Sequence, residues 1–192
     1  SPPAGSFVSV SAGGYHTCGL TSSNSVECWG GEDYGESNPP AGSFESVTAG
    51  TSHTCGVTTS GHIECWGYDS EGSISPHSGT FSTVSAGGYH TCGVTRSGTV
   101  ECWGGDDYGQ SSPPAGSFVS VNAGEEYSCG ITSSGTVECW GADYSGQSSP
   151  PTGTFESVSA GGYHSCGVTS LDTVECWGWD EHGQSSPPSR KL

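Results

Sequence analysis

The chain repeats itself every 37 residues: Glu27-Cys28-Trp29-Gly30 returns at Glu64, Glu101, Glu138 and Glu175. A fixed period of this size marks a solenoid, a propeller or an array, in which no single unit buries its own faces and each must pack on its neighbours. The units run 1–37, 38–74, 75–111, 112–148 and 149–185, and residues 186–192 begin a sixth. The expectation is one domain of five repeats over residues 1–185, followed by a short tail. The absence of methionine and of any signal-like segment gives the chain the look of a mature or excised product.

Each unit opens on a proline-rich connector such as Asn38-Pro39-Pro40 or Ser112-Pro113-Pro114, which restricts the backbone and withholds amide donors. The stretch Gly5-x-Phe7-x-x-Val10-x-Ala12-Gly13 follows, with Phe recurring as Phe44, Phe81, Phe118 and Phe155. Alternation of Val and Ala gives it one apolar face, as in a strand.

The hairpin after it carries the most information. Position 24 of the unit is Asn24, Gly61, Gly98, Gly135 or Asp172, residue types that tolerate positive φ. A three-residue loop ending there pairs Thr21 with Ser25 through hydrogen bonds. Counting back along the ladder, Leu20 faces Val26, Gly19 faces Glu27, and Cys18 faces Cys28 at a non-hydrogen-bonded pair, where side chains approach most closely. Five cross-strand disulfides are therefore predicted: Cys18–Cys28, Cys55–Cys65, Cys92–Cys102, Cys129–Cys139 and Cys166–Cys176. Each closes a short loop and contributes at most ~3 kcal/mol in the chain-entropy picture.

After Trp-Gly comes an acidic loop, for example Gly31-Glu32-Asp33-Tyr34-Gly35 or Trp179-Asp180-Glu181-His182-Gly183. A short last strand at Gln110-Ser111 and its equivalents would make four strands per unit, the content of a propeller blade. The fold class expected is all-β, a five-bladed propeller with one disulfide per blade.

The run Ala12-Gly13-Gly14-Tyr15-His16-Thr17-Cys18-Gly19-Leu20, then Val26-Glu27-Cys28-Trp29-Gly30 and a later Gly109-Gln110-Ser111, resembles the repeat of the regulator of chromosome condensation superfamily. The short period is similar to that of the secreted bacterial propeller that inhibits β-lactamases. The resemblance implies a propeller used as exchange factor, inhibitor or scaffold. It also raises a difference, since such propellers usually carry seven blades. The chain is then either an unusual five-bladed ring or a piece of something longer, with cysteines where the family has apolar hairpin residues.

Twenty acidic residues against three basic ones give a formal net charge of −17. Such a surface cannot neutralise a phosphate backbone, so nucleic acid is excluded as a partner, and no apolar run is long enough for membrane insertion. The plainest role of the charge is solubility. Ten regularly spaced cysteines place the chain in an oxidising compartment, secreted or at the cell surface.

Four recurrent sets could carry chemistry. His16, His53, His90 and His164, with Tyr127 in the remaining repeat, lack zinc-ligand spacing and read as packing residues whose rings bond a neighbouring blade's backbone. Glu27, Glu64, Glu101, Glu138 and Glu175 are equivalent to one another, whereas catalytic carboxylates need unlike environments. They read as acceptors of local backbone donors. The loop acids Glu32, Asp69, Asp106, Asp143 and Asp180 could offer oxygens to calcium, but no loop has the spacing of a known calcium loop, and no cofactor is expected.

The fourth set is defined by disagreement between repeats. Positions 14 and 15 vary as Gly14-Tyr15, Thr51-Ser52, Gly88-Tyr89, Glu125-Glu126 and Gly162-Tyr163, and the residue after Trp-Gly varies as Gly31, Tyr68, Gly105, Ala142 and Trp179. Variable loop residues on a constant scaffold suit recognition. The candidate ligand-binding residues are Tyr34, Tyr68, Tyr108, Tyr144 and Trp179 beside the loop acids. No nucleophile elbow, phosphate loop or triad is present, so the chain reads as a non-catalytic module for a protein or carbohydrate ligand. The alternative is a structural subunit of an extracellular filament or coat, binding copies of itself, with Ser and Thr beside the prolines as O-glycan acceptors.

Overall fold

The computed structural model describes residues 3–188; the first lead-in residues and the last four residues of the tail lie outside them. Five three-stranded antiparallel sheets follow one another along the chain. They comprise β1 (Phe7–Ala12), β2 (His16–Thr21) and β3 (Val26–Gly30); β4 (Phe44–Ala49), β5 (His53–Thr58) and β6 (Ile63–Gly67); and β7 (Phe81–Ala86), β8 (His90–Thr95) and β9 (Val100–Gly104). Blades four and five are β10 (Phe118–Ala123), β11 (Tyr127–Thr132) and β12 (Val137–Gly141), then β13 (Phe155–Ala160), β14 (His164–Thr169) and β15 (Val174–Gly178). No helix among the described residues is long and apolar enough to cross a membrane.

The hairpin register follows the counting from position 24. Asn24, Gly61, Gly98, Gly135 and Asp172 all have positive φ, and Thr21 N–H donates to Ser25 C=O at 2.9 Å. Gly19 then pairs with Glu27 and Cys18 with Cys28, with the same pairing in the other four sheets. All five disulfides join the expected cysteines. The glycine after each first cysteine is also required. A Cβ on Gly19 would lie 2.5 Å from the Phe7 ring, and one on Gly93 would lie 2.8 Å from the Phe81 ring. The phenyl group lies flat on a bare stretch of the middle strand, with the tryptophan of the third strand edge-on to it at 6.0 Å in blade one.

Among the described residues the fourth strand is not formed. Gln110-Ser111 and its equivalents are turns. The carbonyl that would enter a ladder is already taken: Glu36 C=O accepts from Trp66 Nε1 at 3.0 Å and from Thr54 Oγ1 at 3.0 Å, both in the next blade. The proline pair that follows has no amide to donate.

Blades meet face to face. The Cys18, Leu20 and Val26 side of blade one packs on Phe44, Val47 and Trp66 of blade two, and equivalent clusters form at the next three junctions. Four junctions join five blades; among the described residues no fifth cluster links blade five back to blade one. The leading face of blade one keeps Val10 65% exposed, while Val121 and Val158, its counterparts in blades four and five, are buried. Five propeller blades are present, arranged as an arc.

Candidate functional site

At one end of every blade the variable positions are clipped together. Tyr15 C=O accepts the Gly31 amide, Ser52 that of Tyr68, Tyr89 that of Gly105, Glu126 that of Ala142 and Tyr163 that of Trp179, all at 2.8–2.9 Å. The turn between the first two strands and the loop after the third therefore share one rim. Each of blades one to three sets one aromatic ring at this clip. It comes from Tyr15 in blade one, Tyr68 in blade two and Tyr89 in blade three.

A cleft of about 580 Å³ opens there, lined by Tyr15, Tyr34, Tyr68 and Tyr89 together with Asp33, Ser52 and His53. The four tyrosines are exposed, and the Tyr34 and Tyr68 rings lean together with centroids 4.7 Å apart. A second cleft of about 330 Å³ adjoins it, lined by Tyr89, Tyr108, Glu71, Asp107 and Glu126, and shares Ser70 and Tyr89 with the first. Tyr144 stands edge-on to Tyr108 at 5.5 Å. The neighbouring Tyr108 hydroxyl, with smaller contributions from desolvation and from the Glu126 charge, pushes the exposed Tyr144 phenol up to about 12, so it stays neutral. Trp179 lies apart in blade five, against His182 at 5.3 Å and Tyr163 at 6.3 Å.

Of the sequence-expected set, the structure thus gathers Tyr34 and Tyr68 into one cleft, puts Tyr108 in the next with Tyr144 beside it, and sets Trp179 elsewhere. Tyr15 and Tyr89 were legible only as variable positions. Nothing in the linear order shows that they stand over a neighbouring blade's loop.

The loop acids serve the loops. Asp106 accepts from Ser111 N–H and Ser112 Oγ–H at 2.8 Å each, and Asp143 and Asp180 repeat this with Ser148, Ser149, Ser185 and Ser186. The bonds from Ser186 Oγ and Ser185 N–H hold the Asp180 carboxyl below the usual range. Asp69 accepts from Ile74 N–H at 3.4 Å, and Glu32 is exposed. Among the described residues no group of three or more His, Cys, Asp or Glu is placed to hold a metal ion.

Two further expectations need correction. Three of the four recurrent histidines bond a hydroxyl of the next blade, not its backbone: His16 Nε2 to Thr54 at 2.6 Å, His53 to Thr91 at 2.8 Å, His90 to Ser128 at 2.7 Å. Since Thr54 and Thr91 donate onward to Glu36 C=O and Ser73 C=O, the rings of His16 and His53 donate from Nε2. Only Tyr127 reaches backbone, giving its hydroxyl proton to His164 C=O at 2.6 Å or sharing it with Ser165. Burial, then the neighbouring histidine, pushes His53 and His90 down to about 4. Among the described residues the recurrent glutamates accept no local backbone donors. They are exposed or half-buried, and among the described residues only Glu101 has a side-chain partner, His77 at 3.0 Å.

The model of the Regulator of chromosome condensation (RCC1) repeat matches five times, over residues 7–36, 44–73, 81–110, 118–147 and 155–184. No curated protein sequence matches the chain. Among solved structures, the chain is similar to the CRINKLY WD40 ectodomain of the Arabidopsis thaliana receptor kinase ACR4. That likeness has 33% identity and a TM-score of 0.73, covering 90% of this chain and 63% of that one. It is also similar to the entire ectodomain of the Physcomitrella patens receptor kinase CR4, at 29% identity and TM-score 0.73, covering 88% and 52%. The Saccharomyces cerevisiae protein Prp20p shares the fold at TM-score 0.82 and 16% identity, over 97% and 60%. The chain spans less than two thirds of the length of each of these structures.

Proposed function

We propose that this chain, which belongs to the regulator of chromosome condensation (RCC1) repeat family, is a non-catalytic extracellular binding module. Residues 1–185 act as one propeller domain, and the rim bearing the variable turns contacts a protein or carbohydrate ligand. The observation that carries this reading is the gathering of four exposed tyrosines over one cleft at the rim where the repeats diverge. Aromatic rings supply large contact area with few torsions to freeze. Five disulfides and the likeness to two receptor ectodomains support an extracellular setting.

The test is a screen of the disulfide-intact protein against a glycan array and a panel of secreted proteins, repeated with a Tyr34→Ala/Tyr68→Ala double variant. Hits lost in the variant support the rim; hits that survive in full place recognition elsewhere.

A second reading, a structural subunit of an extracellular filament or coat, is favoured by one observation. The outer faces of blades one and five leave Val10 and Val174 at least half exposed, although the same positions are largely covered at internal junctions. Sedimentation across a wide concentration range tests it, and monomers throughout would end it.

A further inference from the structure

The two adjoining clefts differ from a general sticky rim in their charge and in their shared wall. Every charged side chain lining them other than the neutral His53 is acidic: Asp33 and Glu36 in the first, Glu71, Asp107 and Glu126 in the second. Glu36 is buried and its carboxylate already accepts the Tyr34 amide, so Asp33 is the free acid of the first cleft. In the second, Glu71, Asp107 and Glu126 have no protein hydrogen-bond donor within reach among the described residues, and Glu71 stands at positive φ in the loop where other repeats carry Tyr34 or Tyr108. The single Arg or Lys among the described residues, Arg96, sits at the opposite, hairpin end, against Gly61.

Aromatic faces beside unpaired carboxylates attract guanidinium or ammonium groups, and low-dielectric walls focus that attraction. A neutral sugar would gain the stacking but leave the carboxylates unpaired. Tyr89 stands between the clefts and serves both.

We propose that the two clefts form one composite site for a cationic polypeptide segment, seating an Arg or Lys side chain in each with Tyr89 as their common wall. This rests on the rim reading above and narrows its ligand to one class. Two basic side chains on one segment bind with the second event intramolecular, so affinity depends on their spacing.

The probe is a set of labelled synthetic peptides carrying two arginines separated by linkers of increasing length, with citrulline in place of arginine as the uncharged control, read by fluorescence anisotropy. The expected result is binding by the arginine peptides with an optimum linker and about tenfold or greater weakening with citrulline. Tyr89→Ala should weaken binding more than Tyr34→Ala or Tyr108→Ala, because it removes a wall from both clefts, and Tyr89→Phe should retain most of it, because the ring face makes the contact.

Equal binding of arginine and citrulline peptides, or no arginine-dependent binding at millimolar peptide, overturns the cationic class. The rim reading survives that result if a glycan or neutral protein from the wider screen is lost in the Tyr34→Ala/Tyr68→Ala variant. Arginine-dependent binding that is indifferent to all three tyrosines overturns the composite site and assigns the attraction to the overall charge of −17.

Discussion

The junction between blades two and three and the free face of blade one are built from the same sequence, yet they differ in nearly every physical respect. At the junction Phe81 and Trp103 are buried, Trp103 Nε1 donates to Ser73 C=O at 2.9 Å, and His53 donates across to Thr91. On the free face Phe7 and Trp29 are only half covered, and Trp29 Nε1 has no acceptor among the described residues. Identical residues thus contribute stability only where a neighbouring blade supplies the other half of the contact. The strength of the scaffold lies between blades, and the disulfides reinforce what each hairpin already forms.

The comparison is broken most directly by truncating the aromatic anchor. Phe81→Ala should cost about 3–5 kcal/mol, as for a large buried ring leaving a cavity, and Phe7→Ala less than half of that. Chemical denaturation midpoints of the two variants measure the difference; equal losses would mean that the free face is covered in solution.

A smaller effect concerns the buried histidines. The fold holds His53 and His90 neutral, whereas in the unfolded chain they take up protons near pH 6.5. The unfolded state therefore binds more protons between about pH 4 and 6.5, and stability falls as pH falls through that window. A shift of this size corresponds to on the order of 3 kcal/mol per histidine. His53→Gln should flatten the pH dependence of the unfolding free energy relative to the parent over this window.

Next in size is the tryptophan bond. Trp103→Phe should cost about 1–2 kcal/mol through the lost N–H and packing, and Trp29→Phe less than ~0.5 kcal/mol, measured by the same unfolding curves. The smallest effect belongs to the rim. Tyr34→Ala and Tyr68→Ala should each leave stability within ~0.5 kcal/mol, because their rings are exposed and lean on each other, not on a blade core. A large loss there would make these tyrosines scaffold and weaken the case for a binding rim.

Much of each blade could be read from the chain because ladder geometry is local. Once position 24 is known to tolerate positive φ, pairing Thr21 with Ser25 forces Cys18 onto Cys28 three steps along. The constant Gly19 was legible as a repeat but not as a necessity, since the Phe7 ring that forbids a Cβ arrives from another strand. The acids after Trp-Gly looked like ligands because a list of residues does not show that Ser111 and Ser112 fold back to occupy Asp106. The candidate tyrosines were half legible: Tyr34 and Tyr68 stood in the loop set, but Tyr15 and Tyr89 join them only through the clip between two loops and the rotation from one blade to the next.

By itself, then, the sequence determined the repeat, the hairpin register, the five disulfides and the blade as a unit, because each follows from contacts within a few residues of a turn and from the two-residue alternation of strands. Only the tertiary structure decided that the five blades leave two faces uncovered, that histidines bridge to hydroxyls one blade away, and that tyrosines from three blades stand around one cleft. Those outcomes depend on the angle and distance between sheets, which the packing of many small contacts sets jointly and no local stretch of sequence encodes.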